Sequence, residues 1–173
     1  MTDRQPIQGT NLDRYGNPAL PWSRAYDLLA FGPRGPLAGF FLGTVRPDGR
    51  PHAAGIGAVW HDGDLYFTSG PGTRKSRNLA ANPACTISVK LPGLDLTLEG
   101  TALRVTEQAT LARVAGIYRD IGWPAQVAGD AFTAPFSAPS AGPPPWSLYR
   151  FTFDAVTGLS TDEPNGATRW RFS

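Results

Sequence analysis

The chain has few of the residues that usually carry side-chain catalysis. Its 173 residues include one cysteine, Cys85, and two histidines, His52 and His61. A single cysteine excludes an intramolecular disulfide and a zinc-thiolate cluster. With it, two histidines make no metal site unless scattered carboxylates join them. No Gly-x-Ser-x-Gly elbow, paired helical carboxylates or Cys–His motif is present. We therefore expect no metal, and this scarcity favours chemistry carried by a cofactor.

Charged residues are also scarce, and lysine is the scarcest of the basic ones. Charged residues make up 17% of the chain, and its net charge is +2. Only Lys75 and Lys90 among the 16 basic residues are lysines. So small a net charge gives no electrostatic argument for nucleic acid. The arginines also lack interleaved aromatic residues on one basic face. We expect a small-molecule partner and no nucleic acid.

No long apolar run is present. No stretch approaches the length of a membrane span, and the N-terminus is polar without an apolar signal core. We expect a cytoplasmic protein that does not enter a membrane. A length of 173 residues with 41% hydrophobic content predicts one domain, residues 1–173, with a sizeable core.

A strand, a glycine-rich turn and a basic helix follow one another between residues 65 and 83. Leu65 to Thr68 is short, aromatic and bounded by turn signals, which predicts a strand. Thr73 is a good N-cap for the helix that follows, and Pro83 forbids its continuation. The helix should therefore end near Ala81.

This arrangement can receive an anion. The free N–H groups of a first helical turn carry partial positive charge, and the glycines of Gly70-Pro71-Gly72 permit close approach. Arg74 can bind phosphate oxygens in a fork, and Lys75 adds a point charge. Ordinary solvated cations on a surface helix are the alternative. Arg74 stands where a P-loop requires glycine, which disfavours nucleotide hydrolysis.

A hairpin precedes this region, and its returning strand has very small side chains. Phe40 to Val45 and Pro51 to Trp60 read as strands joined by the turn at Pro47-Asp48-Gly49. The second strand contains Ala53, Ala54, Gly55, Gly57 and Ala58. Small residues in a strand often mark close approach of a ligand or of another backbone. A flat ring lying on the strand and tight packing against the first helix both explain the pattern.

The remaining segments read as follows. Met1 to Pro21 predicts an irregular arm (1–21), and Ala25, Leu28 and Leu29 predict a helix capped by Ser23 and stopped by Gly32-Pro33. A second amphipathic helix should follow Thr106 as its cap. The further predicted strands are Cys85 to Leu91, Leu94 to Val105, Leu148 to Asp154, Val156 to Ser160 and Ala167 to Phe172.

The segment from Trp123 to Trp146 stands apart. It carries six prolines, and Asp130 is its only charge. We interpret this Pro-rich loop insertion (123–146) as a long structureless loop with aromatic residues, acting as a lid or binding loop.

Thr68 through Pro83, preceded by Thr44 to His52, resembles the pyridoxamine 5′-phosphate oxidase-like superfamily of split β-barrels. The resemblance implies a mostly β fold, a six-stranded antiparallel split β-barrel with peripheral helices, and a homodimer with cofactor at its interface. In members that bind FMN, Arg and Lys at positions matching Arg74 and Lys75 hold the cofactor phosphate. The pattern of Lys75, Arg77, Asn78 and Leu79 is more similar to the branch that uses the deazaflavin coenzyme F-420.

The resemblance implies an oxidoreductase that moves a hydride between bound F-420, or alternatively FMN, and a small organic substrate. Arg74, Lys75 and Asn78 would hold the phosphate, with Thr68 and Ser69 adding contacts. The residues expected to face the ring are His52, Ala53, Ala54, Gly55 and Ile56. Arg169, which shares a face of the last predicted strand with Arg171, is a candidate for the anionic tail of F-420. Solvated surface arginines are the alternative.

No general acid stands out in the sequence. Tyr118, Tyr149 and His52 are candidates, and a structural role competes with each assignment. A non-catalytic flavin or tetrapyrrole carrier therefore remains the alternative function.

Overall fold

The structure is a computed structural model that describes residues 4–32 and 39–173. In chain order its strands and helices are β1 (Gln8–Asn11), α1 (Trp22–Phe31), β2 (Gly39–Val45), β3 (Pro51–Ile56), β4 (Ala58–His61), β5 (Asp64–Ser69), α2 (Arg74–Ala81), β6 (Ala84–Leu91), β7 (Leu94–Val105), α3 (Gln108–Asp120), β8 (Gln126–Ala128), β9 (Ala131–Thr133), β10 (Ser147–Ser160) and β11 (Ala167–Arg171). A short 3-10 helix spans Pro139–Ala141. Within the described ranges, no helix combines the length and apolar character needed to cross a bilayer.

Antiparallel pairing joins most strands into one sheet that closes on itself. Its order is β1-β11-β10-β7-β6-β2-β3, and β5 pairs with β10 on one side and β4 on the other. β3 leads into β4 through the single residue Gly57, so the ring of strands closes there. With β3 and β4 taken as one bent strand, β2, β5, β6, β7 and β10 complete a six-stranded barrel. The predicted mostly-β, antiparallel fold is confirmed.

The predicted continuous strand from Pro51 to Trp60 is wrong, because it breaks at Gly57. β3 pairs with β2, whereas β4 pairs with β5. Glycine weakens a strand and allows a tight bend at a barrel corner. The Gly57 carbonyl accepts a hydrogen bond from the Tyr118 hydroxyl at 2.8 Å. A side chain of α3 thus satisfies a backbone group at the point where the strand changes partner.

The two strands predicted at Leu148 to Asp154 and Val156 to Ser160 form one long strand, β10. The register against β7 shifts between Phe153 and Ala155, which is the mark of a bulge. Before the bulge β10 also pairs with β5, and after it β10 pairs with β11. The bulge lets a single strand serve both the barrel and the sheet extension.

Two clusters of buried side chains hold the fold together. The barrel core includes Trp22, Leu42, Leu65, Phe67, Ile87, Leu94, Leu96, Leu98, Phe151, Phe153 and Trp170. The second cluster lies under α3 and includes Val59, Tyr66, Leu111, Val114, Ala115, Tyr118, Ala125, Phe132 and Leu148. Cys85 belongs to the barrel core, and burial raises the pKa of its thiol to about 12. Cys85 is therefore a packing residue.

The arm predicted as irregular over 1–21 contains a strand. β1 pairs with β11 from Gln8↔Arg171 to Asn11↔Thr168, and all four of its residues are exposed. This strand forms through backbone pairing at a sheet edge and buries none of its side chains. The sequence therefore shows no apolar alternation that would predict it. Before the strand, Arg4 lies 4.7 Å from the Phe153 ring centroid and 3.7 Å from the buried Asp64 carboxylate.

Two of the three predicted helix caps are wrong. α1 begins at Trp22 after Pro21 rather than after Ser23, and no side chain caps it. α3 is capped by Glu107 rather than Thr106, because the Glu107 carboxylate accepts from the backbone N–H groups of Ala109 and Thr110. The Thr73 cap of α2 is confirmed, and α2 ends at Ala81 as predicted. Gly32 follows the last residue of α1, and Pro33 lies outside the described residues.

The segment 123–146 is not a structureless loop. It contains the β8–β9 hairpin, and Phe132 is fully buried and paired with Trp146 through a backbone bridge. Trp123 packs against Tyr118 and Trp146 with ring centroids 5.0 and 5.8 Å away. Aromatic packing onto α3 orders the segment despite its prolines. Its more exposed part, residues 135–145, reaches the surface beside α2.

Candidate cofactor site

The turn between β5 and α2 is held by a network of hydroxyl groups. The Thr73 N–H donates to the Gly70 carbonyl at 3.0 Å, and the Thr73 hydroxyl accepts from the Ser76 N–H. The Ser69 hydroxyl lies 2.7 Å from that of Ser76 and 2.9 Å from that of Thr73. These internal bonds use the Ser69 side chain and fix the shape of the turn. The first residues of α2 are therefore presented in one geometry.

Arg74 and Lys75 open α2 without a partner. In the described part of the chain, neither side chain makes an ion pair or a hydrogen bond. Arg74 is exposed, whereas Lys75 is half-buried, and burial lowers the pKa of Lys75. A half-buried cation at a helix N-terminus opposes the helix dipole, and an anion would supply the missing partner.

A cavity of about 700 Å³, here called the basic cavity, lies in front of this turn. Its walls are the turn and the start of α2, part of β3, and the proline-rich stretch 140–145. A Cβ at Gly70 would lie 2.2 Å from the Ala141 carbonyl oxygen, so that stretch packs directly on the turn. Cβ atoms at Gly55 and Gly72 would meet nothing within 4 Å. The small residue at Gly55 faces open space, so packing against α1 does not explain it.

Arg46 is a candidate site residue that the sequence reading missed. Burial lowers the pKa of His52, and the positive charges of Arg46, Arg74 and Lys75 lower it further. The positive charge of Arg46 therefore acts on the same imidazole as the charges of Arg74 and Lys75. The Arg46 Nε is buried with no hydrogen-bond partner in the described structure. The hairpin turn at Pro47-Asp48-Gly49 predicts this pairing of strands, in which Thr44 lies opposite His52. Arg46, two residues after Thr44, is therefore expected at the same end of the hairpin as His52.

A second cavity of about 470 Å³ continues from the first and is here called the aromatic cavity. The two share Gly55, Lys75, Ser140 and Ala141 as lining residues. The aromatic cavity extends from the end of β3 toward the end of α3. Its ring-bearing walls are Tyr118, Trp123, Phe136 and Trp146.

The structure brings most of the predicted site residues to these cavities. His52, Ala54, Arg74 and Lys75 line the basic cavity, Ile56, Thr68 and Ser69 line the aromatic cavity, and Gly55 lines both. In the sequence, the glycine turn, the helix cap and the strand patterns predict that these residues lie together. The predicted site is thus a single groove between β3, α2 and the proline-rich stretch.

Three predicted residues lie elsewhere. Ala53 lines neither cavity, although it shares a face of β3 with Gly55. Asn78 is buried and its amide donates to the Thr44 hydroxyl at 2.9 Å. Arg169 pairs with Glu99 at 2.9 Å. Arg169 is far from the groove across the sheet. Four cross-strand neighbours lie between it and Gly55, namely Phe41, Ser88, Thr97 and Thr157.

The candidate proton donors are also largely committed to the fold. The Tyr118 hydroxyl donates to the Gly57 carbonyl, and full burial raises the pKa of Tyr118. Tyr149 stacks on Phe67 in the core with ring centroids 5.3 Å apart. His52 lines the basic cavity. Tyr118 lines the aromatic cavity, but its hydroxyl is hydrogen-bonded to Gly57.

A family model described as pyridoxamine 5′-phosphate oxidase matches residues 38–159 of this sequence. The chain belongs to the pyridoxamine 5′-phosphate oxidase family. The match spans β2 to β10 and so includes the turn, α2 and both cavities. A search of curated proteins finds no match.

Solved structures of similar fold include proteins named for different cofactors. An F420 reductase is 25% identical, with a TM-score of 0.53, 75% of this chain covered and 93% of that chain. A protein from Nostoc punctiforme described as pyridoxamine 5′-phosphate oxidase-related and FMN-binding is 19% identical, with a TM-score of 0.58 and coverages of 87% and 89%. A heme-binding protein from Mycobacterium smegmatis is 17% identical, with a TM-score of 0.53 and coverages of 76% and 51%. The last two likenesses concern the fold alone.

Proposed function

We propose that the protein binds a phosphorylated flavin-type cofactor in the groove and moves a hydride between it and a small organic substrate. The observation that carries this proposal is the pair of unpartnered cations, Arg74 and Lys75, at a glycine turn beside an open strand. Arg46 adds a third positive charge nearby. Membership of a family whose description names a phosphate-bearing substrate supports an anion at this turn.

The groove's residues fit such a group. Arg74 can bind two phosphate oxygens at once, and Lys75 adds charge from the side shared with the aromatic cavity. Gly55 leaves room for a flat ring against β3. When bound, a flavin or deazaflavin supplies the hydride donor or acceptor. The chain itself orients that group, and His52 and Lys75 are titratable side chains that line the groove beside it.

We propose F-420 as the cofactor, with FMN as the alternative. The Lys75, Arg77, Asn78 and Leu79 pattern and the 25% identity with an F420 reductase support the choice. A bound cofactor should quench tryptophan fluorescence, because Trp123 and Trp146 line the groove. When the apoprotein is titrated with each cofactor, we expect quenching at a lower concentration of F-420 than of FMN. Tight FMN binding with no measurable F-420 binding would overturn the choice and leave the site standing.

A carrier without turnover is the second candidate, favoured by the commitment of Tyr118 and Tyr149 to the fold. The two functions differ in one measurable property. Oxidation of the reduced cofactor should accelerate with a suitable electron-poor organic substrate if the protein is an enzyme. A carrier would leave that rate unchanged across a substrate panel while binding the cofactor normally.

We propose that a second copy of the chain covers the outer face of β2, β6 and β7. Phe41 and Leu103 lie on this face with exposed fractions of 56% and 62%, and the pairing register places both on the same side as Ser88 and Thr97. Burying such residues is favourable by about 1.5–3 kcal/mol each.

Phe41→Glu with Leu103→Glu should convert a homodimer into a folded monomer, because charge on a buried face opposes association. Size exclusion with light scattering measures the mass. Matched double substitution at exposed positions of other surfaces, Tyr15→Glu with Phe31→Glu, should leave the dimer intact. A wild-type protein that is monomeric at micromolar concentration would contradict the proposal.

A further inference from the structure

The aromatic cavity is built as a small-molecule site distinct from the phosphate turn. Four aromatic residues line it, the exposed Phe136, the partly buried Trp123 and the buried Tyr118 and Trp146, and its volume is about 470 Å³. Sites for small ligands typically measure about 300–1,000 Å³ and are lined mainly by apolar and aromatic side chains. The cavity meets both criteria, and its aromatic lining residues play no part in the proposed phosphate binding, although it shares Lys75 and Gly55 with the basic cavity.

The rings are fixed before any ligand arrives. The Trp123 indole N–H donates to the Phe136 carbonyl at 2.8 Å, and the Trp146 indole N–H donates to the Gly142 carbonyl at 3.1 Å. The Tyr118 hydroxyl is bonded to Gly57. Every polar atom of these rings is therefore satisfied within the protein, and the rings offer the cavity apolar surface. Fixed aromatic walls favour flat ligands, because rings pack best in stacked or edge-to-face arrangements.

The charge around the cavity determines which net charge is favourable for the ligand. Lys75 is the one charged side chain among its described lining residues, and the remaining polar groups are hydroxyls of Thr68, Ser69, Ser137 and Ser140. A cationic ligand would lose hydration there and meet a like charge. A neutral ligand avoids that cost, and an anionic ligand gains from Lys75.

We propose that the aromatic cavity binds the second reactant, a planar apolar aromatic molecule that is neutral or singly negative, beside the cofactor ring at Gly55. Its role as a reactant rests on the proposed function. Its binding property does not, because the cavity walls need no cofactor to form. The segment 123–146 would then take part in ligand binding, since Trp123, Phe136 and Trp146 all belong to it.

Three naphthalene probes test the class of ligand. Calorimetry on the apoprotein should show binding of 2-naphthoate and of neutral naphthalene-2-carboxamide, and no binding of cationic 2-naphthylmethylamine. Phe136→Ala should weaken naphthoate binding by roughly two- to tenfold, the range expected for one aromatic contact. Its control is Phe31→Ala, because Phe31 is equally exposed (59% against 58%) but lies on α1 away from the cavity. That variant should bind as the wild type does.

Further variants and the loaded protein separate this proposal from the cofactor proposal. Ser137→Glu, at an exposed lining position, should weaken naphthoate binding and spare the carboxamide. The protein loaded with F-420 or FMN should still bind naphthoate. Displacement of naphthoate by the cofactor would overturn the proposal, because the ring itself would occupy the cavity. Absent naphthoate binding, or equal loss in Phe136→Ala and Phe31→Ala, would overturn it too. Naphthoate binding without any cofactor binding would refute the oxidoreductase and leave the aromatic site standing.

Discussion

Replacing both Arg74 and Lys75 with alanine should weaken cofactor binding by roughly a hundred- to ten-thousandfold. Each charge-assisted phosphate bond contributes about 1.5–3 kcal/mol, and about 1.4 kcal/mol corresponds to a tenfold change in Kd. Within the described residues neither side chain has a partner to lose, so folding should not suffer. Removing two cations from a helix N-terminus should even raise Tm slightly. Fluorescence titration and thermal unfolding measure the two effects.

The control for the double variant is Arg113→Ala. Arg113 is an exposed arginine on α3 that lines neither cavity, so its loss changes net charge without touching the groove. Cofactor affinity should stay within about twofold of wild type, as expected for distant surface charges at moderate salt. Unchanged affinity in the Arg74/Lys75 double variant, with a normal Tm, would refute the phosphate role.

Gly55→Val should weaken cofactor binding by roughly five- to hundredfold and leave the protein folded. A Cβ at Gly55 meets nothing within 4 Å, so valine fits the free protein, and β-branched residues suit strands. The same side chain would project into the groove where both cavities meet. Overpacking of this kind costs about 1–3 kcal/mol. Here it would destabilise the cofactor complex and leave the free protein unaffected.

Ala53→Val is the matched control for this variant. Ala53 lies two residues earlier on the same strand and the same face, and lines neither cavity. It should bind cofactor as the wild type does. Since both positions share the outer face, any effect of valine on dimer formation should appear in both variants. Normal cofactor binding by folded Gly55→Val would show that the ring lies elsewhere.

The local structure predicted correctly around the turn is decided over a few consecutive residues. The Thr73 cap, the end of α2 at Ala81 and the glycine turn follow from local rules of capping and backbone conformation. These local rules are enough to place Arg74 and Lys75 at a helix N-terminus, without any tertiary contact. The same reasoning could not place Asn78. Whether a polar side chain on a helix points to a ligand or to another strand depends on how the helix packs, and here it faces Thr44.

The bend at Gly57 and the order in segment 123–146 lay beyond local rules. A run of small residues looks alike whether the strand continues or changes partner, and β5 decides the outcome by pairing with β4. The prolines in 123–146 predict a loop, yet Phe132 and Trp146 are both buried, and Phe132 belongs to the cluster under α3. Burial of large aromatic side chains outweighs weak local preference.

By itself, the sequence determined the antiparallel β fold, the basic turn and the small-residue strand, because alternation, turn residues and caps act between near neighbours. Only the tertiary structure joined β3, α2 and the proline-rich stretch into one groove, brought the charge of Arg46 near His52, and placed Ala53, Asn78 and Arg169 outside the groove's lining. These decisions depend on strand register and on which side chains meet across the barrel. Such contacts join residues far apart in the chain, where local pattern carries no information.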